Sequence, residues 1–245
     1  MKKQDVLYIM RQYLDIDADG ASIKKLENNP LFIAGLSEGN KKLKSSSDCR
    51  FIIWNLPAVI TCPYSTPSCR ALCYALKAEK QYKTARYSRA QHFAIAKGAD
   101  FVDRMTYTIC TYLLRPKYLK AKKIVFRLHE SGDFFNKKYA DDWREIARRF
   151  NGIIELIFMA YTKSLPYFED VKTSANLVIR ASLWNDTRAD LRAMAENYPT
   201  YTAMTADELT TAVQSGAVVK CRCDDCGHCL LCMYASVKNL ACEIH

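Results

Sequence analysis

Short apolar runs separated by stretches of helical spacing constrain this chain more than any other feature. Phe51 to Asn55, Ile124 to His129, Ile153 to Tyr161, Leu177 to Ser182, Thr200 to Met204 and Gly216 to Lys220 each have the length of one strand. Between them, residues 84–114, 138–150, 187–197 and 205–214 carry apolar side chains at helical intervals, with a break expected at Gly98. Strands that alternate with helices pair in parallel through βαβ crossovers. The pattern therefore predicts an α/β fold, a parallel-stranded partial (β/α) barrel of about six strands. In such folds ligands gather beyond the C-terminal ends of the strands, where Cys62, Ser131 to Asp133, Thr162 to Ser164 and Ser182 to Asn185 all fall.

Three segments follow from this pattern. Residues 1–50 read as polar helices ending near Pro30 and then a loop rich in turn formers and lysine, 51–220 as the α/β core, and 221–245 as a cysteine-rich coil. With 245 residues and 49% hydrophobic content the chain can bury one sizeable core. Its first residues lead into an amphipathic segment, and no run approaches 18 apolar residues, so the expectation is a cytoplasmic protein without a membrane span. The net charge of +10 favours an anionic partner, either nucleic acid or a phosphorylated or carboxylate-rich substrate. Nothing in the sequence fixes an oligomeric state.

The eleven cysteines do not suit a disulfide scaffold, because a chain this long needs no staples and no export signal is visible. Cys62, Cys69 and Cys73 follow the first strand, with Ser68 expected to cap a helix that places Cys69 and Cys73 on one face. Three thiolates suit a cluster with one open iron or a catalytic metal with an exchangeable position; a fourth from Cys49 would close the site. Scattered buried cysteines are the plain alternative.

The run Cys221, Cys226, Cys229 and Cys232 brings sulfurs round one compact coil, as a 4Fe-4S cluster loop requires. Tetrahedral zinc also takes four cysteines, and Cys223 and His228 are spare ligands for it. Zinc ribbons pair two knuckles across a hairpin, so the single coil favours the cluster. Cys110 lies on a helical stripe and reads as core, and Cys242 is a spare ligand or none.

His129 to Asp133 is the densest polar group outside the cysteines. His129 is a candidate base, the Ser131 and Gly132 amides can bind an anion, and Asp133 can accept from an ammonium group; a turn with a helix-capping aspartate explains the same residues structurally. Lys163, Arg180 and Arg127 would bring positive charge to the same end. Arg86, Arg89 and His92 with Tyr82 and Tyr87 form a basic and aromatic patch able to hold phosphate or stack on a base, although a solvated helix face has the same composition.

Asn55-Leu56-Pro57-Ala58, Thr61-Cys62-Pro63, Cys69 and Cys73-Tyr74-Ala75, Ser131 to Phe135, Ala160 to Ser164 and the terminal cysteines together resemble a family of cysteine-rich proteins encoded mainly by bacteriophages and mobile elements, a family of unsettled function. A looser resemblance is to radical S-adenosylmethionine enzymes, which place three cluster cysteines after the first strand of a partial barrel and a cofactor-binding motif after the second. It implies that Cys62, Cys69 and Cys73 hold a 4Fe-4S cluster that chelates S-adenosylmethionine. It further implies that Ser131, Gly132 and Asp133 bind the cofactor amine and that Cys221, Cys226, Cys229 and Cys232 hold an auxiliary cluster; read together with the polar residues above, Arg180 is a further cofactor contact and His129, Asp133 and Lys163 are the catalytic candidates. The spacing differs, x6 then x3 here against x3 then x2 in those enzymes. The reading to set against this one is a non-enzymatic nucleic-acid-binding or regulatory protein stapled by a cluster or zinc, motivated by the net charge and by Lys41 to Lys44, Lys120 to Lys123, Arg86 and Arg89.

Overall fold

Strand pairing dominates the computed structural model, which describes residues 1–40, 43–46, 48–169, 174–222 and 226–244. Lys41 and Lys42 of the basic run, and Cys223, lie outside the described residues. In chain order the elements are α1 (Lys3–Leu14), α2 (Ile23–Glu27), β1 (Cys49–Trp54), α3 (Pro67–Ala71), α4 (Tyr74–Gln81), α5 (Lys83–Ala96), α6 (Phe101–Leu113), α7 (Pro116–Leu119) and β2 (Lys123–Leu128). They continue through α8 (Lys137–Arg149), β3 (Leu156–Thr162), β4 (Leu177–Leu183), α9 (Ala189–Ala195), β5 (Thr200–Met204), α10 (Ala206–Gln214), β6 (Val219–Lys220), α11 (Cys226–Cys229) and β7 (Asn239–Glu243).

The fold is α/β, with one parallel sheet of seven described strands in the order β1-β2-β3-β4-β5-β7-β6. The first five strands add one after another in a single direction, which is the winding of a partial (β/α) barrel. Six strands were expected and seven form. The extra one is β7, which inserts between β5 and β6, so part of the terminal segment belongs to the sheet of the core. Asn239 to Glu243 carries no long apolar run, and two flanking strands recruit it instead.

Alternate residues along each strand serve opposite faces. Ile52, Trp54, Ile124, Phe126, Leu128, Phe158 and Ala160 pack on one face with α1, α6 and α8, whose Met10, Phe101, Ile109, Trp143 and Ile146 lie in the same large core. Phe51, Ile53, Val125, Met159 and Val178 face the other way. There they meet Leu43 and the terminal segment through Met233, with Cys226, Leu230 and Cys232 packed alongside. Burial on both faces is why these strands read as unbroken apolar runs.

Helix boundaries near the first cysteines differ from expectation. Thr66, not Ser68, caps α3: its side chain accepts from the Cys69 amide at 3.1 Å, and Pro67 takes the first helical position, where a missing N–H costs nothing. Five residues later the helix ends, and Cys73 becomes the N-cap of α4, its Sγ accepting from the Leu76 amide at 3.4 Å. Cys69 and Cys73 therefore sit on two helices, not on one face. The expected break near Gly98 separates α5 from α6.

Candidate functional site

The loop that leaves β1 is strained where it delivers the first thiol. Val59 has φ of 65°, a left-handed conformation costing a branched residue about 1–3 kcal/mol. Its carbonyl accepts from the Cys62 amide at 3.0 Å, which turns Cys62 back over the strand end. Cys69 and Cys73 arrive from α3 and from the α3–α4 junction. Burial first, then the neighbouring Asp133 carboxylate, and then Cys69 and Cys73 push the Cys62 thiol up to about 12, so all four groups share one neighbourhood.

The β2 loop is stitched beneath them. The Ser131 amide donates to Asn55 Oδ1 at 3.0 Å and its hydroxyl to the Leu56 carbonyl at 2.8 Å, while the Leu56 amide donates to the Ser131 carbonyl at 2.9 Å. Ser131 is thus committed to the β1 loop through its amide, hydroxyl and carbonyl. Gly132 has φ of 81°, and a Cβ there would lie 2.5 Å from Thr61 Oγ1 and 2.7 Å from Leu56 Cβ. Only glycine lets the two loops approach this closely. Glu79, a buried residue of α4, accepts from the Ala58 amide at 2.8 Å and from Arg89 at 2.9 Å, fixing the same loop from the helical side.

Asp133 latches β2 to β3. Its Oδ1 accepts from Thr162 Oγ1 at 2.5 Å and the Phe134 amide at 2.8 Å, and its Oδ2 from the Lys163 amide at 3.0 Å. Burial raises its carboxyl, and these three donors with the Lys163 ammonium oppose the rise. Oδ2 retains one acceptor position. Lys163 is itself buried: its Nζ donates to Ser182 Oγ at 3.0 Å and lies 5.9 Å from the Trp184 ring centre, and among the described residues no carboxylate comes within 4.0 Å of it. Asp186, beyond β4, accepts from the Ser68 amide at 2.7 Å and so ties α3 to the fourth strand. The ends of β1, β2, β3 and β4 thereby meet around Cys62, as the alternation of strands and helices predicts.

Two sequence candidates lie elsewhere. His129 leaves β2 with φ of 61°, which turns its ring into the aromatic core against Phe134 and Tyr139, where Nε2 pairs with the Tyr139 hydroxyl at 2.9 Å. Burial and then the charge of Arg127 lower its pKa to about 3, so it stays neutral, and it does not face the cysteines as a base. Arg180 lies fully buried on the opposite face of the sheet. It donates to the carbonyls of Cys232 at 2.8 Å, Tyr234 at 2.7 Å, Leu231 at 3.2 Å, Thr200 at 3.3 Å and Lys238 at 3.5 Å. That guanidinium holds the terminal segment and is not turned to a cofactor at Cys62. Arg127 is on the same face, over the Tyr161 ring at 4.1 Å and donating to Met159 Sδ at 3.0 Å.

The terminal cysteines converge in part. Cys221 continues β6, its amide donating to the Ala241 carbonyl at 2.7 Å, and its thiol donates to Cys232. That bond, with the Tyr161 hydroxyl and the nearby Arg180 and Arg127, lowers the Cys232 thiol against the opposing effect of burial. Cys226 packs into the same cluster. Tyr201 contacts Cys242 and lies close to Cys221 and Tyr161, so Cys242 borders the group. Cys49 is ruled out as a fourth ligand to the first site, for it begins β1 where Cys62 follows its end, roughly 17 Å of strand away. Cys110 is fully buried in the core, as its helical stripe predicts. Among the described residues, no three His, Cys, Asp or Glu side chains gather closely enough to hold a single metal ion.

Sequence reasoning missed Tyr74, whose hydroxyl donates to the Glu130 carbonyl at 2.5 Å and pins α4 across the β2 loop. It also missed the Glu79–Arg89 pair, though a lone carboxylate among the basic residues of α4 and α5 was a visible signal.

No helix among the described residues is long and apolar enough to cross a membrane. A family profile described as Gene product 88 matches residues 34–236. The chain is similar to the Gene 88 protein of Mycobacterium phage D29, 31% identical over 106 residues that cover 42% of each. A second relative, the Gene 88 protein of Mycobacterium phage L5, is 31% identical over 106 residues, 42% of this chain and 43% of the relative. The chain thus spans about two-fifths of the length of these curated relatives. No solved structure matches it. Since the profile covers more than four-fifths of the sequence, from the loop before β1 to the terminal cysteines, the chain belongs to the Gene product 88 family.

Proposed function

We propose that the chain is an iron-sulfur enzyme of radical S-adenosylmethionine type, in which Cys62, Cys69 and Cys73 hold a 4Fe-4S cluster with one open iron. The observation that carries this reading is the meeting of three thiols from the β1 loop, α3 and the α3–α4 junction beside Asp133, at the C-terminal end of a parallel sheet. The donor set fits the group. Cys69 and Cys73 each lie in electrostatic reach of Cys62 without the close packing a lone ion demands, and a cluster separates its thiolates by several atoms. When bound, such a cluster supplies the electron for reductive cleavage of a sulfonium ligand.

The chain's own residues have definite tasks in this reading. Lys163 offers a buried ammonium to the carboxylate of an amino-acid-like ligand, with Ser182 holding it in place. Asp133 sets the distance between the β2 and β3 ends and keeps one Oδ2 acceptor position for an ammonium group. Gly132 allows the backbone to pass close beneath. Cys221, Cys226, Cys229 and Cys232 hold a second, closed cluster, with zinc as the alternative metal there. A reducing cytoplasm would keep these thiols from pairing as disulfides.

Anaerobic purification with iron and sulfide analysis and Mössbauer spectra tests the reading. The expected result is about eight iron and eight sulfide per chain, falling by half in the triple variant Cys62→Ala, Cys69→Ala, Cys73→Ala. Dithionite-reduced protein should also yield 5'-deoxyadenosine from S-adenosylmethionine. Two zinc ions and no sulfide would remove the proposal.

A further inference from the structure

The helical hairpin beside the first cysteine site has a charge distribution unlike the rest of the molecule. Residues 67–97 contain seven Lys and Arg and a single carboxylate, Glu79, more than half of the net charge of +10 in about an eighth of the chain. Glu79 is buried and paired to Arg89, so the outer surface carries no compensating charge. Elsewhere several exposed cations are partnered, Lys3 with Asp19, Arg11 with Asp17, Lys122 with Asp48, Lys137 with Asp141 and Arg188 with Asp190, whereas those without an ion pair among the described residues, such as Lys24, Lys25, Lys120 and Lys220, are scattered along the chain. Among the described residues Arg70, Lys77, Lys80, Lys83 and Arg86 are all exposed and none has an ion pair.

Three tyrosines stand among these cations, Tyr74 and Tyr87 each 67% exposed and Tyr82 54% exposed. The Tyr74 hydroxyl is held by the Glu130 carbonyl, while among the described residues no hydrogen bond fixes the hydroxyls of Tyr82 and Tyr87, which leave their apolar rings to solvent. Helical spacing orders the set. Tyr74, Lys77 and Gln81 follow one side of α4, and Lys83, Arg86 and Tyr87 one side of α5, with Tyr82 at the joint. The sequence patch is thereby revised: His92 stacks on Trp54 at 4.1 Å in the core and Arg89 turns inward, while Tyr74, Lys77, Lys80 and Lys83 take their places outside.

The surface begins at the cysteines. Cys73 caps α4, and the next residue, Tyr74, is fastened to the Glu130 carbonyl over the β2 loop. Leu72 and Ile60, 41% and 76% exposed, lie on the same approach.

We propose that α4 and α5 form a docking surface for a single-stranded nucleic acid and lead one of its nucleotides to the Cys62, Cys69 and Cys73 site. The second half of this proposal rests on that site being catalytic. Unpaired cations meet the phosphates, and the three rings offer stacking platforms to unpaired bases. A duplex would satisfy the lysines but present no free base faces to the tyrosines.

Fluorescence anisotropy of the full chain with labelled single-stranded DNA, single-stranded RNA and duplex oligonucleotides tests this. Expected is single-strand binding that weakens steeply with salt and exceeds duplex binding; the DNA and RNA arms identify the sugar, and tight binding in either supports the proposal. The combined variant K77E, K80E, K83E, R86E should weaken it by at least about 100-fold. Y82A with Y87A should weaken single-strand binding by about 10- to 100-fold and leave duplex binding unchanged. Iron and sulfide content should be the same in both variants. Absence of single-strand binding at low salt, indifference to the charge reversals, or equal loss of duplex binding in the tyrosine variant would overturn the proposal. So would binding to phosphatidylserine vesicles without binding to any oligonucleotide. A chain with no iron that still binds single strands through this surface keeps the docking surface and removes the catalytic reading; an iron-loaded chain that binds none does the reverse.

Discussion

The two cysteine groups stand in opposite relation to the sheet. The first is assembled at the strand ends from short loops, each fixed to the next by backbone hydrogen bonds, and its approach is lined with exposed tyrosines and unpaired cations. The second lies across one face of the sheet, where Met233, Cys226 and Cys232 complete a core and Arg180 gathers five carbonyls. A site at the strand ends can admit a ligand, whereas a site that doubles as the covering of a sheet face is bound to stability. This division separates what each region loses when it is damaged.

Arg180→Leu should produce the largest effect. It leaves the carbonyls of Thr200, Leu231, Cys232, Tyr234 and Lys238 without their buried donor. We expect a loss of about 3–5 kcal/mol in urea unfolding, together with rapid proteolytic cleavage in residues 221–244 while the β1 and β2 loops stay protected. Equal cleavage in both regions would erase the contrast between them.

Gly132→Ala should cost about 2–4 kcal/mol, since the new methyl meets Thr61 and Leu56 at a left-handed backbone. Its iron loss should be confined to the first site. A variant within half a kcal/mol of the parent, measured the same way, would show that the loops do not need their close approach.

The last effect is a slope with pH and not a loss at neutral pH. His129 is neutral when folded, with its pKa lowered to about 3, first by burial and then by Arg127, so the unfolded chain binds an extra proton below its ordinary value of 6.5. Stability from this residue is therefore complete above pH 6.5 and declines toward pH 3, by about 1.4 kcal/mol per unit. His129→Asn, a residue tolerant of positive φ, should flatten the unfolding midpoint between pH 6 and 4 relative to the parent. An unchanged slope would mean that other groups dominate acid sensitivity.

The sheet and the grouping of its strand-end loops were largely legible because β1 to β4 are doubly buried and their ends follow from the alternation with helices. Legibility failed where a residue's role depends on distant chain. Arg180 reads as a charge near the strand ends, yet its partners lie mostly some fifty residues later in the terminal segment. The direction of the His129 ring depends on one positive φ that no pattern announces. Thr66 outcompeted Ser68 as a cap because Pro67 sits at the preferred first position, a detail that propensity alone misjudged. β7 was missed because its strand character comes from β5 and β6 on either side.

The placement of β7 also makes the docking of one strand depend on that of another. Among the described strands, β6 pairs with β7 alone, so Val219 and Lys220 gain a partner only when Asn239 to Glu243 docks. Cys221, Cys226, Cys229 and Cys232 lie between these two strands in sequence. The segment that carries them is thus a loop closed by a single strand pair, and loss of β7 from the sheet would release β6 and the cysteine segment together.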